Sequence, residues 1–237
     1  MRDSCRLLRV TPATHACGGP VPASPVDSMD AVLRSLVINE DASTDSAVAL
    51  TLEIRSSLPA PASDLWPLLT TQEGLLRWYG PVTGELREGG RFRAPGGVSG
   101  TVTSVSAPHR LELTWEYGEQ ADALSIRLDP DDTGQCSLRL EHELTLPREV
   151  FQEYGPGSIA LGWEIALLGF QREAALRSGE PCGLPAPTPA WLTTADGVQT
   201  VRAWAIRWAG AAVAAGVDEE LATQQEARTV AAYTAVG

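Results

Sequence analysis

The chain predicts an α+β fold in which an antiparallel sheet wraps around one long C-terminal helix. Three observations carry this. Between Ala60 and Pro81 a turn, two short amphipathic helices and a second turn are packed together, after an extended segment and before a strand start at Gly89-Gly90-Arg91-Phe92. A series of runs with period-two alternation follows, as in a sheet that is wet on one face and apolar on the other. A single long helical stripe comes after them, opened by Gly155-Pro156-Gly157.

The elements follow in order. Over Val48–Arg55 the alternation puts Val48, Leu50, Leu52 and Ile54 on one face of a strand, which Pro59 and Pro61 end. Ser63 or Asp64 is positioned to cap a short helix carrying Leu65, Trp66, Leu68 and Leu69, with Pro67 expected in its first turn, where the missing N–H costs little. A second short helix over Gln72–Trp78 breaks at Gly80-Pro81. Strands are predicted at Thr83–Leu86 with Arg91–Ala94, Gly100–Ser106, Arg110–Tyr117, Ala123–Asp129 and Gln135–Leu144, divided by turn-forming clusters such as Asp129-Pro130-Asp131-Asp132-Thr133-Gly134. Leu111, Leu113, Trp115 and Tyr117 share one face, and so do Leu138, Leu140, His142 and Leu144. The long helix runs from Gly157 to about Ser178, with Ile159, Trp163, Ala166/Leu167, Phe170 and Ala174 as its stripe. At 1.5 Å per residue it spans about 30 Å, enough to cross the sheet.

This gives three regions: a poorly ordered leader over 1–45, in which Met29 offers an alternative start; a sheet-and-helix domain over 46–190; and a helical hairpin over 191–237. The hairpin reading rests on Val201, Trp204/Ala205, Trp208 and Ala212 at helical spacing, a stop at Gly216, and an N-cap at Asp218 followed by Glu219 and Glu220. The hairpin is too small to fold alone and is expected to dock on the domain or on a partner subunit.

Composition excludes several functions. A net charge of −12 with no arginine cluster argues against a nucleic-acid partner. All 18 basic residues are arginine, so Schiff-base chemistry, a lysine general base and a phosphate-binding P-loop lysine are excluded within the chain. Cys5, Cys17, Cys136 and Cys182 are too scattered for a zinc site, and Cys136 reads as a small buried hydrophobe in a strand. A reducing cytoplasm fits this cysteine usage. Glu164 and Arg207 interrupt the two most apolar runs, so no membrane span is expected. No G-x-G-x-x-G after a strand, P-loop or H-E-x-x-H occurs, and no cofactor is implied.

Ala60-Pro61, Leu65-Trp66, Leu69-Thr70, Trp78-Tyr79-Gly80-Pro81, Gly89-Gly90-Arg91-Phe92, Gly100-Thr101-Val102, Pro108-His109-Arg110-Leu111 and Trp115, with Gly155-Pro156-Gly157 and Gly162-Trp163-Glu164 later, form a combined pattern. It resembles the SRPBCC, or START-like, superfamily, in the branch related to the activator of the heat-shock protein 90 ATPase. The resemblance covers about Val48 to Leu184. It implies a helix-grip fold with a cavity between sheet and long helix for hydrophobic ligands; the leader and the hairpin lie outside it.

The candidate ligand-contacting residues are Trp66, Trp78, Tyr79, Phe92, Trp115, Tyr117, His142, Trp163, Leu167 and Phe170, with no catalytic residue assigned. One fully buried tryptophan hides on the order of 200 Å², so most of these also serve stability. His142 falls on the apolar face of the last strand, where burial lowers its pKa and where it could anchor a polar ligand head. The leading expectation is a non-catalytic cytoplasmic protein that binds a small apolar or amphipathic molecule, with a homodimer plausible through the hairpin. Two alternatives are a cyclase or dehydratase using His142, Tyr117 or Glu164, and a co-chaperone-like interaction module.

Overall fold

A computed structural model of the chain describes Met29, residues 31–179 and residues 182–235. Its strands are β1 (Val32–Asn39), β2 (Ala47–Leu58), β3 (Thr83–Gly84), β4 (Arg91–Arg93), β5 (Ser99–Ser106), β6 (Arg110–Tyr117), β7 (Gln120–Pro130) and β8 (Cys136–Pro147). They form one antiparallel sheet in the order β1-β2-β8-β7-β6-β5-β4-β3. Register keeps the alternation in phase: Leu52 stands opposite Leu36 on one side and His142 on the other, and Leu140 opposite Ile126.

The first strand corrects the sequence reading, because it lies inside the stretch taken as leader. Val32 and Leu36 are buried on the core face. Arg34 occupies an inward position between them and breaks the apolar alternation that would have revealed the strand. Residues 1–28 of the expected leader lie outside the described residues.

The helices are α1 (Ala62–Thr70), α2 (Gln72–Trp78), α3 (Arg148–Tyr154), α4 (Gly157–Ser178), a single turn at Pro189–Leu192, α5 (Ala195–Ala214) and α6 (Glu219–Thr234). Pro61, not Ser63 or Asp64, is the N-cap of α1. Pro67 therefore falls in the second turn, where it removes the donor for the Ser63 carbonyl; Ser63 is exposed, so water can take that role. Thr71 caps α2 by accepting from the Gly74 N–H at 3.0 Å, and Asp218 caps α6 by accepting from the Leu221 N–H at 3.0 Å. The short helix α3 was not expected.

The gripped helix is α4, 22 residues long and closed by Gly179 at φ 74°. Trp163, Ala166, Leu167, Phe170 and Ala174 are buried, as the stripe requires, but so are Leu161, Glu164, Leu168 and Ala175. A helix with one apolar stripe needs one cover, whereas α4 has two: the sheet, and the hairpin α5–α6. Trp204 and Trp208 of α5 join the same core as the sheet residues. Burying each such large side chain contributes on the order of 3 kcal/mol or more.

Three side chains at i, i+4 and i+8 fasten α6 to the α3–α4 corner. Gln225 Nε2 donates to the Phe151 carbonyl at 2.7 Å, Thr229 Oγ1 to Tyr154 at 3.0 Å, and the Tyr233 hydroxyl to Ser158 at 3.1 Å. The Tyr154 carbonyl lies at the end of α3, where a helix leaves its carbonyls without intrahelical donors, while those of Phe151 and Ser158 take the side-chain donor through a second lone pair.

Candidate functional site

Between the sheet, the α1–α2 pair and α4 lies a cavity of about 60 Å³. Its wall is formed by Trp78 and Tyr79 from the end of α2, Phe92 from β4, Leu113 and Trp115 from β6, Trp163 from α4 and further aliphatic side chains of β5 to β7. Thr70 also lines it, but its hydroxyl donates to the Trp66 carbonyl at 2.9 Å. A space walled in this way offers water no set of polar partners.

The aromatic groups pack against one another. Trp115 lies 5.0 Å from Trp163, 6.2 Å from Tyr79 and 6.4 Å from Phe92 between ring centroids, in tilted or edge-on geometry. Trp78 meets Phe170 edge-on at 4.9 Å, and its Nε1–H donates to the Leu68 carbonyl at 2.9 Å. Close approach of α4 makes this possible: a Cβ on Gly169 would lie 2.8 Å from the Trp78 carbonyl oxygen. Outside the partition of Tyr79, Trp115 and Trp163 lies a second, open space of about 210 Å³, which these three residues share with Ser158, Ile159, Gly162 and Tyr233.

The candidate residues divide into groups. Trp78, Tyr79, Phe92, Trp115 and Trp163 converge on the inner cavity. Leu167 and Phe170 sit deeper, around a separate void of about 20 Å³ behind Trp78. Trp66 is half-buried against the core and lines none of these spaces. Tyr117 lines none of these spaces: it sits at the end of β6, next to the hairpin turn, and is 67% exposed. Strand alternation gave it the right face, but the inner wall stops before it.

His142 is 1% exposed and stands behind Trp163. Trp163 Nε1, which can only donate, gives its hydrogen to His142 Nδ1 at 3.1 Å, so the imidazole proton resides on Nε2. Nε2 lies 3.7 Å from Asp122 Oδ2, beyond hydrogen-bonding reach, and has no partner among the described residues. Burial pulls the His142 pKa down to about 4. At neutral pH the ring is therefore uncharged, and its approach to Asp122 is not an ion pair. Burial pushes the Asp122 carboxyl upward, opposed by hydrogen bonds from Gln120 Nε2 and the Thr145 N–H. His142 does not reach into the cavity as a ligand anchor; Trp163 occupies its accessible nitrogen.

Glu164 faces neither His142 nor solvent. Its carboxylate pairs with both Nε and Nη2 of Arg34 on β1 and accepts from Trp208 Nε1 of α5 at 2.8 Å. It joins sheet edge, gripped helix and hairpin. His142, Tyr117 and Glu164 thus lie in three separate environments, and no acid–base pair is assembled from them. Tyr79 is the titratable group in the cavity wall, and burial pushes its pKa up to about 12. Among the described residues no group of His, Cys, Asp and Glu has the geometry to hold a metal ion.

Tyr233 and Ile159 were missed as site residues. The available signal was the spacing of Gln225, Thr229 and Tyr233, which marks one docked face of α6.

Residues 59–174 match the family described as activator of Hsp90 ATPase homolog 1-like protein. Among solved structures, CalU16 from Micromonospora echinospora is similar in its crystal form, with 25% identity, 76% of this chain and 98% of that chain covered, and a TM-score of 0.56. Its solution structure gives 26% identity, 78% and 97% coverage and a TM-score of 0.58. A conserved protein of unknown function from Enterococcus faecalis, EF2215, shares the fold at 16% identity, 75% and 91% coverage and a TM-score of 0.52. The curated proteins hold no match.

Proposed function

We propose, for a chain whose residues 59–174 belong to the Hsp90-ATPase-activator-like branch of the START-like superfamily, that it binds a small apolar or amphipathic molecule between its sheet and its long helix, without catalysing a reaction on it. The observation that carries this reading is the aromatic-walled cavity, lined by Trp78, Phe92, Leu113, Trp115 and Trp163 and bordered by three rings that it shares with the outer space. Its size constrains the mode of binding. A cavity of about 150 Å³ holds one benzene ring, so a space of about 60 Å³ admits a ring only if the partition moves. Displacing Tyr79, Trp115 or Trp163 joins it to the outer space of about 210 Å³. Together they approach the lower end of small-molecule sites, about 300 Å³.

The non-catalytic part of the reading is supported by chemistry: the wall presents no carboxylate, imidazole or thiol to a guest. A cytoplasmic setting is supported by Cys136 and Cys182, both free thiols; no helix among the described residues is long and apolar enough to cross a membrane. A homodimer is supported by β1 being an edge strand paired only with β2, since an unpaired strand edge favours addition of a further strand, and by Leu33 and Val37 on its outer face, 68% and 57% exposed. A monomeric mass in sedimentation at tens of micromolar removes that part alone.

The test of ligand binding is a thermal-shift and tryptophan-fluorescence screen with alkylbenzenes, indole and medium-chain alcohols. A probe held at a hundred times its Kd stabilises by about 2.7 kcal/mol, which raises Tm by roughly 5–10 °C in a domain of this size. A screen in which no probe moves either the melting temperature or the fluorescence rules the reading out.

A further inference from the structure

Two polar atoms stand at the partition without a use. The Tyr79 hydroxyl and the Trp115 indole N–H make no hydrogen bond with any described residue, although both side chains are partly buried. The other tryptophans of this region are satisfied: Trp78 donates to the Leu68 carbonyl and Trp163 to His142. Tyr79 and Trp115 are, with Trp163, the residues that line both the inner cavity and the outer space. An apolar guest seated there shuts both atoms off from water and leaves the indole N–H buried without an acceptor, at a cost to binding. A guest carrying an acceptor at that depth removes this cost.

Charge narrows the choice further. Neither space is lined by an arginine, histidine, aspartate or glutamate. A carboxylate or ammonium brought to the partition would lose its hydration and find no counter-ion. The net charge of −12 also opposes the approach of an anion. Burial holds Tyr79 in its neutral form, able to donate as well as accept.

We propose that the partition is a polar subsite for an uncharged guest: as the partition shifts to admit it, an apolar ring or chain fills the enlarged inner cavity, and a neutral acceptor oxygen, such as a ketone, receives the Trp115 Nε1–H and the Tyr79 hydroxyl at the boundary with the outer space. This rests on the ligand-binding reading above and specifies its chemistry. Tyr233, brought over the outer space by α6, makes the terminal hairpin one wall of the same site. The part of the guest beyond its acceptor lies there.

The experiment uses three probes of one size on the full chain: ethylbenzene, acetophenone and benzoate, with affinities from calorimetry and the indole N–H resonances followed by NMR. Trp115→Phe identifies the Trp115 resonance. In the wild type, acetophenone should bind about tenfold more tightly than ethylbenzene, equivalent to about 1.4 kcal/mol, and should move the Trp115 indole proton downfield. Benzoate should bind more weakly than either. The acetophenone-to-ethylbenzene ratio should fall toward one in Trp115→Phe and decrease in Tyr79→Phe. Should Trp115→Phe fail to fold, the wild-type ratio, the wild-type indole shift and Tyr79→Phe still decide. Equal binding of ethylbenzene and acetophenone with no indole shift overturns the polar subsite while leaving the apolar cavity intact. Benzoate binding most tightly overturns the neutral-guest assignment. Failure of all three to bind overturns both this inference and the reading beneath it.

Discussion

Trp163 donates its indole hydrogen to His142 Nδ1 at 3.1 Å, so a ring that forms the cavity wall is held in place by a ring wholly behind it. This fixes the tautomer of His142 and leaves its protonated Nε2 without a hydrogen-bond acceptor among the described residues. The pair is a bond between α4 and β8, and it makes His142 a positioning residue for the cavity wall.

A pH dependence follows. The folded-state pKa of His142 is pulled down to about 4, against an ordinary value of 6.5. The unfolded chain therefore takes up a proton between these values that the folded chain refuses. Stability from this group is complete above about pH 6.5 and is lost as pH falls toward 4, by about 3 kcal/mol in all. Asp122 acts in the opposite direction toward the acid end, because its raised carboxyl binds a proton earlier when folded. Urea midpoints from pH 7.5 to 4 should fall in the wild type and fall less in His142→Gln, which keeps an acceptor for Trp163. Parallel curves would exclude the assignment.

Removing half of a buried ion pair should be costly. Arg34 and Glu164 side chains are only 6% and 1% exposed. Glu164→Ala leaves the guanidinium buried without its partner and orphans Trp208 Nε1, for an expected loss of about 3–5 kcal/mol. Arg34→Met with Glu164→Leu removes both charges and should cost less than Glu164→Ala alone. A double variant at least as unstable as the single one contradicts this.

The hairpin should loosen separately from the sheet. Thr229→Val keeps the shape of the side chain but removes its hydrogen bond to the Tyr154 carbonyl, for about 1 kcal/mol. Amide exchange should quicken over Glu219–Thr234 while β2 and β8 retain their protection. Uniform quickening across the sheet would mean that the hairpin does not open as a unit.

Gly169→Ala should be destabilising, although alanine is the better helix former. The gain in propensity is about 1 kcal/mol, but the new methyl would lie 2.8 Å from a backbone oxygen at Trp78, and overpacking of this kind costs about 1–3 kcal/mol. A stabilised variant, read from its denaturation midpoint, would show that α2 yields freely.

Much of the fold was legible because most elements follow one local rule. The alternation over Arg110–Tyr117 and the stripe from Trp163 to Ala174 each specify a buried face without tertiary information. Tertiary context decided the rest. β1 was hidden because Arg34 turns inward to meet Glu164, 130 positions away. Which aromatic residues face the cavity was half readable: Trp115 and Tyr117 share a strand face, but the extent of the wall is set by α4 and the α1–α2 pair. Glu164 could not be placed by spacing, because two elements that bind it, β1 and α5, lie outside the segment carrying the family pattern. Tyr233 reads as part of a solvated helix until the corner that it docks against is known.

The central claim is a real apolar void between sheet and α4 behind the partition of Tyr79, Trp115 and Trp163. Xenon tests it most directly, since it enters dry apolar cavities and needs no polar partner. Crystals pressurised with xenon should show an anomalous peak enclosed by Trp78, Leu113, Trp115 and Trp163. A pressurised crystal with no xenon at that position, and side chains filling the space, would contradict the account.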